Sequence, residues 1–285
     1  MHIDGRGWVA VIEIVVYIPA LLIALYICKK HGFTRSSGWM YTLILCVVRI
    51  AGSVCELLTF SNSSTSIIKT MIILDSIGLS PLLLATLGLL SRLNDWINAR
   101  SKGHFGVKQF RLIQLLITLG LILAIAGGTG GSTNSDGSPK IATTSKVAIA
   151  LYIVAFVAIV LVWLVSMSAL SVVPTVEKRV AFAVLIALPF ILVRLVYSAC
   201  VVFLHSHLFN LVNGSVVVNA IMAVLMEFVV VAIYLLLGFF ISTLSPNDAG
   251  PIATRQWKAK NDPKQQQPSQ QPQLFNYSYE QAGRA

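Results

Sequence analysis

Seven apolar runs, each of a length suited to crossing a hydrocarbon core, constrain this chain more than any other feature. A helix needs about 20 apolar residues for that crossing. The runs are Trp8–Cys28, Trp39–Phe60, Ile67–Leu90, Phe110–Ala126, Val147–Val172, Val180–Leu204 and Val216–Leu244, the fourth being the shortest. They are helices and not strands, because an open sheet edge has no hydrogen-bond partners in lipid. They also lack the alternation, about ten residues long, of a membrane barrel strand. Only 11% of the 285 residues are charged and 56% are hydrophobic, against about 25% charged in a soluble domain. The expected fold is all-α: a polytopic seven-transmembrane-helix bundle over residues 1–244, followed by a disordered Pro/Gln-rich cytosolic tail over residues 245–285. Trp8, Trp39, Trp96 and Trp163 fall near span ends, where an interfacial aromatic belt would place them.

The first run is too long for the apolar region of a signal peptide. Lys29, Lys30 and His31 follow it in place of a small-residue cleavage site. It is read as a retained helix.

Charge sets the orientation. Lys29, Lys30, Arg35, Arg92, Arg100, Lys102, Lys108, Arg111, Lys178 and Arg179 fall on one side with the basic tail, and only Arg6, Lys69, Lys140 and Lys146 on the other. Basic residues stay in the cytosol, so the N-terminus is expected outside and the C-terminus inside. The net charge of +10 is then a topology signal, and nucleic acid is not an expected partner. The expected partners are the lipid bilayer, an unknown ligand or solute, and a cytosolic partner for the basic loops and tail. The glycosylation tripeptides at Asn62 and Asn213 fall in loops assigned to the outside. A third, at Asn276, falls in the cytosolic tail and should be silent.

The connecting segments read as linkers. Gly127–Lys140 is polar and flexible, with no flanking strand or Lys-Ser/Thr ending to make it a phosphate loop. The tail, with NDPKQQQPSQQPQ, is too poor in apolar residues to bury a core. Cys28, Cys46, Cys55 and Cys200 all lie in or beside spans, so no extracellular disulfide framework is expected. Cys28, next to two lysines, is either an ordinary buried thiol or an acylation site.

The spans themselves carry Glu13, Arg49, Glu56, Asp75, Arg194 and Glu227. Each unpaired charge costs about 2.5–3.5 kcal/mol at a helix centre, so these groups must meet one another or water. Counted from the side holding the N-terminus, Arg49, Asp75, Arg194 and Glu227 lie between the outer quarter and the midplane. Glu13 and Glu56 lie nearer that surface. Arg49, Ser53 and Glu56 share one helix face, with Gly52 allowing close approach. Arg194, Tyr197 and Ser198 share another, and Glu227 lies with Tyr234 on a third, Asn219 a little off it. The candidate ligand-binding set is therefore Arg49, Ser53, Glu56, Asp75, Arg194, Tyr197, Ser198 and Glu227. Glu56 stands about 10 Å along the axis from Arg49, too far for a direct bond, so Asp75 is the expected partner of Arg49 and Glu227 that of Arg194.

Two readings of these charges stand side by side. They are structural pairs that fix helix register, or they form a pocket for a polar or amphipathic ligand. VRIAGSVC (Val48–Cys55) and VRLVYSAC (Val193–Cys200) share Val, Arg, Ser and Cys in register, which suggests two parallel three-helix units of the kind some transporters use. A receptor is the leading functional expectation and a small-solute or lipid transporter the alternative. No acid-Arg-aromatic triplet ends the third span, and no Asn-Pro-x-x-Tyr or lysine occurs in the seventh. An enzyme is not expected, and neither is a metal or other cofactor. The histidines sit in termini and loops, and His205 and His207 alone do not make a zinc site. The plasma membrane or an endomembrane is the expected location.

The second-span VVRIAGSVCEL and the third-span LDSIGLSPLLLATLGLLSR carry a resemblance that extends over Trp8–Leu244. The chain resembles a family of fungal seven-helix integral membrane proteins of unknown function, some labelled family-C-like G-protein-coupled receptors. The large extracellular domain of true family-C receptors is absent from this sequence. The resemblance implies the heptahelical fold and no particular activity.

Overall fold

A computed structural model describes residues 4–32, 37–61, 64–100, 105–129, 142–204, 209, 214–241, 250 and 252. Of these, 92% are helical and none lies in a strand. Seven helices are long and apolar enough to cross a membrane. The first and second are α1 (Gly5–His31) and α2 (Ser37–Ser61). The third is α3 (Thr65–Ile77) continued by α4 (Leu79–Arg100), interrupted at Gly78. The fourth to sixth are α5 (Val107–Thr129), α6 (Thr143–Ser168) and α7 (Thr175–Phe203). The seventh is α8 (Val216–Asn219), a wider π turn over Ala220–Leu225, and α9 (Met226–Phe240).

Consecutive spans pack side by side, and α9 returns to α1. The third span runs through the middle, with α4 touching α2, α5, α6 and α7. Its sequence explains this: LSPLLLATLGLLSRLND is apolar round the whole helix as far as Leu90, and every residue of it is buried. By contrast α1 buries one stripe, Gly7, Ala10, Glu13, Tyr17, Ala20, Ala24 and Ile27, at helical spacing. Small residues on that stripe allow close packing against α2. Trp8, Ile12, Val15 and Leu22 of the same helix point outward, as side chains facing lipid would.

Four expectations change. The fourth span is not short; α5 runs 23 residues and takes Gly127 and Gly128 into its last turn, so the linker begins later than the glycines suggest. Gly128 lies close to Ile73 and Gly127 to Ser145, which is why glycine occupies both positions. The third span continues to Arg100, 35 residues in all, which brings Arg92 and Asp95 into the helix. Trp39 is turned into the bundle, only 2% exposed, and its indole N–H donates to the Tyr234 carbonyl at 3.0 Å. Beyond α9, Ile252 is buried and its amide donates to Asp95 Oδ1 at 3.1 Å. Apart from Gly250, the rest of the tail lies outside the described residues.

Candidate functional site

Local breaks in two helices shape the site. Pro81 has no N–H to give the Ile77 carbonyl, and the Ser80 hydroxyl donates there instead at 3.0 Å. One residue past the end of α3, the Gly78 amide tightens onto the Asp75 carbonyl at 3.3 Å. A β-carbon at Gly78 would sit 2.7 Å from Arg49 Nη2 and 3.2 Å from Glu227 Oε1. Glycine there lets a guanidinium and a carboxylate cross the helix axis at the break. In the seventh span the π turn ends at Leu225, two residues before Glu227. Its extra residue per turn rotates Asn219 toward the Glu227 face, and such turns recur at functional sites.

Arg49, Asp75, Arg194 and Glu227 meet in one cluster. Arg49 donates to Glu227 through Nε and Nη2, both at 2.5 Å, and to Asp75 Oδ1 through Nη1 at 3.1 Å. Arg194 donates through Nε to Glu227 Oε1 at 2.6 Å, through Nη1 to the Ser198 hydroxyl at 2.8 Å, and through Nη2 to the Asp75 carbonyl at 3.3 Å. Its Nη2 also lies 3.5 Å from Asp75 Oδ1. Both expected pairs form, but each arginine reaches both acids, and the closest partner of Arg49 is Glu227. Glu227 is fully buried and serves as the hub. Two positive and two negative charges balance, and the second, third, sixth and seventh spans are tied at one depth.

Above this balanced group lie two more acids. Glu13, 5% exposed, accepts a bond from the Ser53 hydroxyl on Oε2 at 2.5 Å, while its Oε1 has no hydrogen-bond partner among the described residues. Glu56 is half-buried, and no described residue forms an ion pair with it. Glu13, Glu56, Arg49, Asp75, Gly52 and Arg6 line a cavity of about 50 Å³. That is room for a few water-sized groups. Arg6 donates to the Gly214 carbonyl at 3.2 Å, at the mouth. Tyr197 lines this cavity and also a second one of about 50 Å³, on the other side of Asp75, where Arg194 and Ser198 face the fourth and fifth spans.

A second polar layer lies toward the other end of the helices. Arg92 donates to both oxygens of Glu177, through Nε at 3.0 Å and Nη2 at 2.5 Å. Glu177 sits in the first turn of α7, where the helix dipole favours a carboxylate. The Arg92 guanidinium also stands 5.8 Å from the Trp39 ring, and His31 stacks on that ring at 4.5 Å and bonds the Gly238 carbonyl at 3.1 Å. Asn94 and Ser166 bond each other nearby.

All eight residues picked from the sequence thus fall on this site: the four cluster members, Ser198 on Arg194, Ser53 on Glu13, and Glu56 and Tyr197 on the cavity wall. Glu13 was recognisable as a buried charge, and its place on the Ala10–Tyr17–Ala20 stripe was the signal that it faces inward. The Arg92–Glu177 pair was missed because both residues look like loop charges at span ends. Asn62, Asn213, His205 and His207 lie outside the described residues. Cys28 and Cys46 are buried thiols.

Comparison with known families places the chain. Residues 3–244 match the model of a domain of unknown function, DUF7702. The chain belongs to the DUF7702 family. The match covers every membrane span and the whole charge cluster of this DUF7702 protein. No curated protein matches the chain. It is a multi-pass membrane protein, and the family description carries no activity.

Proposed function

We propose that this DUF7702 protein is a receptor-like heptahelical protein with its N-terminus outside and its C-terminus in the cytosol. A small polar ligand enters the Glu13–Glu56–Asp75 cavity from the outer side. The observation that carries the reading is the position of the ion cluster directly beneath that cavity. A ligand that draws on Asp75 or Arg49 changes bonds that hold four helices together. That is how a local contact becomes a change in helix packing. The third span, packed against the second, fourth, fifth and sixth, and the second buried ion pair at the far end favour signalling over passage. The family-C-like label suggested by the sequence resemblance agrees with this reading on layout alone.

The test is access. Gly52 lines the cavity, and a β-carbon there meets only Leu74 at 3.6 Å, so Gly52→Cys should fold. In a background with Cys55→Ala and Cys200→Ala, a membrane-impermeant thiol reagent should label Gly52→Cys from the outer face of sealed cells or vesicles only. Labelling from both faces would replace the receptor reading by the translocator one, since alternating access exposes a central site to each side in turn. Labelling from neither face would remove the pocket.

A further inference from the structure

The charges around the cavity do not cancel. Arg49 and Arg194 donate through Nε, Nη1 and Nη2 to Glu227, Asp75 and Ser198, and their two charges are matched by Asp75 and Glu227. Glu13 and Glu56 remain, and among the described residues Arg6, at the mouth, is the one further cation lining the cavity. The count over Arg6, Glu13, Arg49, Glu56, Asp75, Arg194 and Glu227 is three positive against four negative.

Burial makes the surplus costly. Glu13 is 95% buried, from a relative exposure of 5%, and its Oε1 is left without a donor. An ionised buried carboxylate without full pairing is among the most expensive groups a chain can carry. In a membrane helix such a group marks an ion or substrate site by default. Among the described residues its one donor, the Ser53 hydroxyl, divides a single proton between Glu13 Oε2 and the Arg49 carbonyl 2.9 Å away, and brings no charge.

Resting on the ligand-pocket reading above, we propose that the cavity binds a small monovalent cation, an alkali ion or a primary ammonium group. Glu13 Oε1 is its principal ligand, and Glu56 and the Asp75 carboxylate face it across the cavity. One unit of positive charge neutralises the surplus; a divalent ion would reverse it. The volume of about 50 Å³ admits an ion with a water or two, or a methylammonium-sized group. An anion is disfavoured because the four negative charges around the cavity outnumber the three positive ones, and Arg49 already gives Nε, Nη1 and Nη2 to Glu227 and Asp75.

The full-length protein in neutral phosphatidylcholine nanodiscs supplies the test. Ionic strength is held with N-methylglucamine chloride, whose cation is too large for the cavity. Methylammonium, sodium and potassium chlorides are titrated separately, with methanol and N-methylglucamine acetate as neutral and anionic probes. Thermal unfolding is the readout. At least one cation should raise the midpoint saturably, and the arm that does so separates an ammonium site from an alkali-ion site. Glu13→Gln should weaken the apparent affinity at least tenfold, and Asp95→Asn, at the opposite end, should leave it unchanged. If Glu13→Gln does not fold, protection is measured instead: the cation should slow labelling of Gly52→Cys and acetate should not. No saturable response to any monocation would overturn the proposal, as would a response that Glu13→Gln keeps. A response to acetate alone would overturn it while leaving the pocket in place, so its failure is distinct from failure of the access test.

Discussion

The two polar layers of this bundle solve the same problem differently. Each puts arginine and carboxylate inside an apolar helix bundle. At the far end Arg92 and Glu177 match one for one, in a bidentate pair beside the Trp39 ring. On the N-terminal side the Arg49–Asp75–Arg194–Glu227 cluster is equally well bonded, yet Glu13 and Glu56 stand above it with a cavity between them. The Arg92–Glu177 pair shows what a structural ion pair looks like here: opposite charges in direct contact. The near layer contains such a structure and adds an acid surplus to it. That surplus is the part a folding argument leaves unexplained.

If the near cluster is a structural lock with a site built on top, its hub should matter most. Glu227→Leu strands Arg49 and Arg194 together, with Asp75 the only acid left in the cluster. Breaking one buried pair costs about 3–5 kcal/mol, and this change breaks two. The expected result is loss of monodisperse protein by fluorescence-detected size-exclusion chromatography. A normal profile would mean that the cluster holds nothing together.

Arg49→Leu should come next, costing about 3–5 kcal/mol, because Glu227 and Asp75 are then left to share Arg194. Arg49→Leu with Asp75→Leu leaves the neutral Arg194–Glu227 pair, so yield and thermal midpoint should recover in part. A double variant no better than the single one would contradict the shared bonding. Gly78→Ala should have a smaller effect, about 1–3 kcal/mol from overpacking, since its β-carbon presses on the Arg49 guanidinium. A midpoint unchanged from the parent chain would show that the helix break is loose enough to absorb a methyl group.

The fold was legible because hydrophobic runs of this length have one physical solution in lipid. The cluster was legible for a related reason: buried charges at equal depth must converge, and residue counts along straight helices give depth. Pairing was less legible. Periodicity placed Arg49 and Arg194 on their faces, but two carboxylates within reach of both arginines leave the choice to side-chain packing, and the Gly78 break is what lets Arg49 reach Glu227. Trp39 and Arg92 misled for a different reason. A span end marks distance along the helix and not which way a side chain turns, and the third helix outruns the hydrocarbon thickness. Gly127 and Gly128 read as a linker because glycine signals both a flexible loop and a close helix contact. Only the neighbours Ile73 and Ser145 decide between them.

The contrast between the layers is tested most directly by removing one acid from each. Glu13→Met and Glu177→Met both replace a buried carboxylate with an apolar side chain of similar length, and thermal unfolding in the absence of small cations compares them. Glu177→Met should lower the midpoint sharply, because it breaks the buried bidentate pair with Arg92, at about 3–5 kcal/mol. Glu13→Met should raise the midpoint or leave it unchanged, because it removes a charge with an unfilled bond worth about 1–3 kcal/mol and leaves Ser53 on the Arg49 carbonyl. A fall in Glu13→Met as large as that in Glu177→Met would make Glu13 one more structural partner and contradict the account.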